Sequence, residues 1–583
     1  MKSGGQFREW LKKIGVSGLL IRMFLIWFVL TFILFPNISM IAGIFYKDGS
    51  FSTDVFRKLL SSKRAMKSLL NSFVLAMSMV VTVNIIGIAL VVFTDYLDIK
   101  GSKILKIGYL STLVYGGIVL CTGYKYIYGE QGIITQMLMK MIPDLNPAWF
   151  QGYFAVLYIM TFACTSNHII FLSNAIKGID YQTVEAAKNM GASFGQIFLK
   201  VVLPVLKPTL FAVTILTFLS GLGAVSAPLI VGGPDFQTIN PMIITFSSTI
   251  YSRDIAALLA IFLGLVTIIL LVFMNRIEKK GNYISVSKVK SRITKEKLRN
   301  PVANVIAHLI AWLLFLVYVG PIILVILYSF TDSVTILSGQ FSASSLSLEN
   351  YVKLFSEKGA LKPYIVSIVY SLLAALLVVA LTTLVSRIIH KSDSKFAAGL
   401  EYSMLIPWLL PSTLIGLGLL MTFDKRQMLA ADKVLVGTPL ILLIAYIIVK
   451  IPFSLRMIKA AFFGVDEALE ESAKSMGASS FYTFRKVILP IIFPALVSVA
   501  VLNFNSLLAD YDLTVFLFNP FLVPLGPIIR AASDESSTTN AKAMSFVYSV
   551  VLMLLSTAAL YFVYGRKPKR KRKSVVDDMP KTL

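Results

Sequence analysis

Twelve stretches of this chain are apolar for long enough to cross a bilayer, which takes about 20 residues in a helix. They lie near 19–45, 68–94, 104–127, 150–175, 203–231, 253–275, 302–330, 364–390, 398–423, 437–462, 487–518 and 543–565. Lipid offers the backbone no hydrogen-bond partner, so unbroken apolar runs of this length are read as helices. The expected fold class is an all-α polytopic membrane protein with about twelve transmembrane helices. Composition agrees: of 583 residues, 56% are hydrophobic and 15% charged, against about a quarter charged in soluble domains. The least regular runs are 104–127, which ends on Tyr124, Lys125 and Tyr126, and 487–518, which contains Asp510 and Asp512. The first run follows a basic segment, FREWLKKIG, as a signal peptide would. It extends well past a signal core and no small-x-small site follows, so it reads as a retained helix.

The net charge of +25 admits nucleic acid as a partner, but the basic residues sit beside the apolar runs. That pattern marks the cytoplasmic ends of membrane helices. Lys2, Arg8, Lys12, Lys13 and Arg22 precede the first run or open it. A basic linker spans 276–300, and the tail carries Arg566 to Lys573, RKPKRKRK. All three belong on the cytoplasmic side, with six spans between successive markers, and the tail reads as an anchor on anionic lipid. No nucleic acid is expected. The basic stretch 56–67, FRKLLSSKRAMK, falls on the outer side in this count, where an amphipathic helix lying on the surface would accommodate it. Cys121 and Cys164 lie in apolar runs and read as inert. His168, His308 and His390 are scattered without metal-ligand spacing, so no metal site is expected.

The chain then repeats itself. Glu185 and Glu471 are 286 positions apart, as are Asp180 and Asp466, Gly191 and Gly477, Pro204 and Pro490, and Pro208 and Pro494. Matches at one offset mean two homologous halves. The domain reading is a first half at 1–275, the linker at 276–300, a second half at 301–565 and a tail at 566–583. The same order of spans in both halves predicts a pseudo-two-fold axis along the membrane normal.

The repeated sentence, EAAKNMGASFGQIFLKVVLP at 185–204 and ESAKSMGASSFYTFRKVILP at 471–490, reads as a helical hairpin between the fourth and fifth spans. Asp180 suits an N-cap. Gly191 permits the left-handed residue that ends a helix. Pro204 is tolerated in the first turn of the span that follows. This pattern resembles the EAA loop of ABC-importer permeases, the inner-membrane subunits of binding-protein-dependent transport systems. The loops occupy 176–204 and 462–490. The matching residues are Glu185, Ala186, Ala187, Gly191, Val201, Leu203 and Pro204, then Glu471, Ser472, Ala473, Gly477, Val487, Leu489 and Pro490. Val for Ile in both copies, and Ser472 for the Ala that follows the Glu, are the departures.

The resemblance implies that Glu185, Ala186, Ala187, Gly191, Glu471, Ser472, Ala473 and Gly477 form coupling helices that dock on two ABC ATPase subunits. Since Glu185 and Glu471 match, a homodimer of ATPases suits both. An extracytoplasmic substrate-binding protein is the other implied partner, and the bacterial cytoplasmic (inner) membrane the implied location, with both termini cytoplasmic. The chain has no G-x-x-x-x-G-K-[ST] motif, so no cofactor is bound here and ATP is used by the partners. LSGQ at 337–340 is short of an ABC-ATPase signature and has no phosphate loop to serve.

Double-length permeases of this kind resemble the ferric-iron branch, which has relatives for polyamines, phosphonates, thiamine, sulfate and sugar phosphates. Ionisable residues inside spans are functional candidates. Asn503, Asn505, Asp510, Tyr511 and Asp512 are the candidate translocation pathway, with oxygens that suit a cation such as ferric iron. Lys125 and Lys450 read as snorkelling to an interface. A secondary transporter and a membrane scaffold are the competing classes, and the paired loop favours the importer.

Overall fold

The protein is described by a computed structural model over residues 16, 18–47, 50–113, 117–176, 179, 181–280, 295–298, 300–332, 335–336, 343–392, 394–534 and 536–562. Lys2 to Lys13, Asp180, most of the linker, the LSGQ stretch and the basic tail lie outside the described residues.

Among the described residues ten helices are long and apolar enough to span a membrane. They are Gly18–Phe45, Lys63–Tyr96, Tyr153–Ile176, Phe194–Leu222 and Ile250–Phe273, then Pro301–Ser329, Lys362–Lys391, Pro439–Phe463, Ser480–Leu507 and Thr539–Leu560. Two bent pairs stand where the third span of each half is expected; counted as one span each, they bring the total to twelve. Ser102–Leu113 meets Gly117–Met141 at 112°, and Lys395–Trp408 meets Ser412–Phe423 at 103°. The runs expected near 104–127 and 398–423 are thus each broken by a sharp bend. In the second half the break falls at Leu409 to Pro411, where proline has no N–H for the helical ladder.

The fifth spans also differ from expectation. They start earlier, in the loops, and stop earlier, at Leu222 and Leu507. Just before Pro204 and Pro490 the helix widens into π turns, Phe198–Val202 and Phe484–Ile488. Each proline lacks an N–H and crowds the carbonyl four residues back, and the wider turn absorbs that. Past Leu222 and Leu507 the chain breaks and resumes as the short helices Ser226–Val231 and Thr514–Leu517. Asp510 and Asp512 thus lie in a break rather than inside a helix. Of the basic stretch 56–67, the first part belongs to a short helix, Asp54–Ser61, that buries Val55 and Leu59 and exposes Arg57 and Lys58. From Lys63 onward it is already the second span.

The two halves exchange their outer spans. One core joins the second, third and fourth spans of the first half (Leu75, Tyr109, Ile118, Ile159) to the first and sixth spans of the second half (Tyr318, Val325, Phe546, Leu552). The other joins Leu25, Phe32, Ala256 and Leu259, from the first and sixth spans of the first half, to Tyr370, Leu417 and Tyr446 of the second. Each core is thus assembled from both halves, with the roles reversed. Close approach is local: a methyl on Gly221 would come within 2.6 Å of the Ala76 Cα, so the fifth span can touch the second only through glycine there.

Candidate functional site

The paired loops are near copies in backbone. The helix Tyr181–Asn189 and its counterpart Glu467–Ser475 end the same way. Gly191 and Gly477 both have φ +81°. The Gly191 N–H donates to the Lys188 carbonyl (2.8 Å) and the Ala192 N–H to that of Ala187 (3.1 Å); the Gly477 N–H donates to Lys474 (2.9 Å) and the Ala478 N–H to Ala473 (3.0 Å). This is the six-to-one, five-to-two closure of a Schellman motif. Ser193 and Ser479 then cap the next short helix. In place of the undescribed Asp180, Asp466 shows the N-cap, accepting from the Ala468 N–H at 3.0 Å.

Each helix turns one residue of the EAA triplet inward and two outward. Ala187 and Ala473 are buried, while Glu185, Ala186, Glu471 and Ser472 are exposed. At the tips Met190 and Met476 are 82% and 81% exposed. A small, weakly charged ridge with a flexible thioether at its end suits a groove on another protein.

What anchors the two helices differs. Position 184 holds a buried valine, whereas the equivalent Glu470 meets Arg387 through two hydrogen bonds of 2.8 and 2.7 Å. Lys391 and Lys474 lie 3.2 and 3.4 Å away. The Arg387 guanidinium holds the Glu470 carboxyl at about 2, below the usual carboxylate range. Arg387 also lies over the Phe484 ring at 5.9 Å. On the first loop that place is taken by Tyr96, whose ring centroid is 5.6 Å from Phe194 and 5.9 Å from Phe198.

Where the broken spans meet, a cavity of about 250 Å³ opens between the halves. Gly223 and Asn240 line it from the first half; Trp408, Pro411, Thr413 and Asp512 line it from the second. Asn240 is fixed by the Thr413 hydroxyl (2.8 Å) and by its own amide on the Gly223 carbonyl (2.8 Å). On the Trp408 ring, the exposed Arg456 guanidinium lies 4.0 Å from the centroid. Irregular backbone at membrane depth is tolerated where it lines such a cavity.

The family described as binding-protein-dependent transport system inner membrane component matches at residues 118–280 and 388–572, once in each half. The chain belongs to that family. It is an ABC importer permease, with two copies of the family unit fused in one polypeptide. A probable ABC transporter permease protein, y4fN, of Sinorhizobium fredii is 36% identical over 93% of this chain and 96% of its own length. A putative ferric transport system permease, FbpB 1, of Haemophilus influenzae is 25% identical over 86% of this chain and 78% of its own. A probable sulfate transport system permease, cysT, of Prototheca wickerhamii is 31% identical over 37% of this chain and 88% of its own. Permease subunits are non-catalytic membrane components, and the family's description places this one in the inner membrane beside a binding protein.

The permease brings only some of the expected pathway residues together. Asp512 lines the inter-half cavity, and no hydrogen bond or ion pair is formed by its carboxylate among the described residues. Asp510 instead closes the break: it accepts from the backbone of Leu513 (3.3 Å) and Thr514 (3.1 Å) and from the Thr514 hydroxyl (2.9 Å). Lys450 lies close enough to act on it electrostatically, so this lysine does not simply snorkel away. Asn503 is buried and donates to Ser454 at 2.7 Å. Asn505 keeps a buried carbonyl oxygen that has no partner among the described residues. Tyr511 packs against the first core. Lys125 donates to the Ser533 carbonyl at 3.3 Å, across the halves. Sequence reasoning missed Asn240, Trp408 and Thr413; Pro407 and Pro411 were the signal, since two prolines so close rule out a straight span.

Proposed function

We propose that this permease receives ferric iron from an extracytoplasmic binding protein and passes it inward through the cavity between its halves. The termini and paired loops face the cytoplasm in this reading. The loop helices are coupling helices seated on two identical ATPase subunits, and Glu185, Ala186, Glu471, Ser472 and the tip methionines form the docked face. Closure of the ATPase pair would draw the two loops together. The fifth spans grow directly out of the loops, so the movement would reach the breaks at Gly223 and Asp510 to Asp512 as a rigid-body step.

The observation that carries the substrate reading is the unpaired Asp512 carboxylate on the cavity wall, beside the Asn240 amide and the Thr413 hydroxyl. Oxygen donors of this kind suit a hard cation. A transient site is sufficient, because a tight one would slow release. The relatives named for ferric transport also carry both halves in one match. The second reading, a small anion such as sulfate, is favoured by one observation: the Arg456 guanidinium lies on the ring of Trp408, a residue of the cavity lining.

Uptake into vesicles carrying the permease, its ATPases and the cognate binding protein decides between them. With labelled ferric iron, Asp512→Asn is expected to lower uptake about tenfold, the loss of one charge-assisted contact. Uptake of labelled sulfate, with none of iron, would replace the first reading by the second.

A further inference from the structure

The linker between the halves does more than join them. Its described end, Lys295 to Leu298, is woven into the first loop. Glu296 forms a backbone bridge to the end of the second span: its N–H donates to the Tyr96 carbonyl (2.8 Å) and its carbonyl accepts from the Asp98 N–H (2.9 Å). Its carboxylate meets the Lys188 ammonium at 2.5 Å, on the last turn of the first loop helix, with the Glu296 side chain only 12% exposed. Next to it, the Lys295 ammonium donates to the Thr94 carbonyl (2.7 Å) and the Ser102 hydroxyl (2.6 Å). One strip of linker therefore ties together the second span, the start of the third and the loop helix. Among the described residues no such strip reaches the second loop, which is held by Arg387 on Glu470.

We propose that Glu296 is a positioning residue for ATP coupling: through Lys188 it holds the first coupling helix in its docking pose, which makes the linker a working part of the transmission. The proposal rests on the reading of the loops as coupling helices. A two-chain permease, lacking a continuous linker, would have to anchor this helix by other means. The chemistry is favourable for such a role. A charge-assisted hydrogen bond is about twice as strong as a neutral one. The backbone bridge fixes where the carboxylate stands, so little freedom is lost when the pair forms.

The test uses the full-length permease in nanodiscs. In Glu296→Gln, amide exchange across Tyr181–Asn189 is expected to rise about tenfold, while exchange across Glu467–Ser475 stays as in the wild type. Binding-protein-stimulated ATP hydrolysis by the complex with its own ATPases falls about fivefold. Exchanging the charges, Glu296→Lys with Lys188→Glu, restores both readouts, which a mere packing defect would not allow. Unchanged exchange, an equal rise in both loops, or faster exchange with wild-type stimulation would each overturn the proposal. Gly477→Val serves as the control for the parent reading. If it too leaves stimulated hydrolysis untouched, the loops are not coupling helices and the proposal falls with that reading, even where exchange confirms the contact.

Discussion

Val184 and Glu470 occupy the same place in the two loop helices, 286 positions apart. Around them the backbone is duplicated down to the Gly191 and Gly477 closures, yet one helix rests on apolar contacts and the linker, and the other on an ion-pair cluster. The difference teaches that the repeated motif specifies the shape presented outward. How that shape is fastened to the membrane spans is left to each half.

Removing Arg387 tests this most severely. Arg387→Gln takes both hydrogen bonds from a largely buried carboxylate, and the second helix is expected to lose about 2 kcal/mol of local stability. Amide exchange should quicken across Glu467–Ser475 and stay level across Tyr181–Asn189; a matching change in the first loop would mean the anchors are not independent. Val184→Ala is the mirror experiment. It deletes two buried carbons, about 1.6 kcal/mol at 0.8 per methylene, and should loosen the first helix alone. The shared feature should respond alike in both halves. Gly191→Val and Gly477→Val each force a β-branched residue into left-handed geometry, at about 1 kcal/mol, and nothing crowds either position. Equal loss of copurifying ATPase from the two variants is expected, and loss from only one would split the comparison.

The smallest effect is in pH. Glu470 has its carboxyl lowered by Arg387 to about 2, so its contribution is complete above the unfolded value near 4.5 and is lost as pH falls through about 2. A spin label placed by Met476→Cys should show the second tip unchanged from pH 8 to 5 and loosening only below that. Loosening near neutral pH would show that the anchor is not this carboxylate.

The architecture was legible because membrane spans and repeats write themselves in local composition and in spacing. The twelve runs and the glycine closures follow from residues close in sequence, and the offset of 286 from the chain's likeness to itself. The breaks in the third and fifth spans were harder to see. The run from Phe396 to Phe423 carries a single charge, Glu401, and only Pro407 and Pro411 betray the 103° turn. Asp510 and Asp512 drew equal attention as acids in an apolar run. The fold gives one a backbone-capping task beside Lys450 and leaves the other on the cavity wall, a distinction that depends on where the helix stops. The anchors were out of reach: Arg387 meets Glu470 across 83 positions and Lys188 meets Glu296 across 108.

The exchange of outer spans between the halves has a consequence for biogenesis. When the ribosome has finished the first 275 or so residues, the lobe around Tyr109 and Ile159 still lacks two of its walls, which will arrive as Tyr318 and Phe546. A newly inserted first half therefore waits in the bilayer with an open seam that lipid must fill. Tethering sets how long: a second half on a short tether returns at an effective concentration on the order of millimolar, so the seam closes within its own polypeptide before a stranger can enter it.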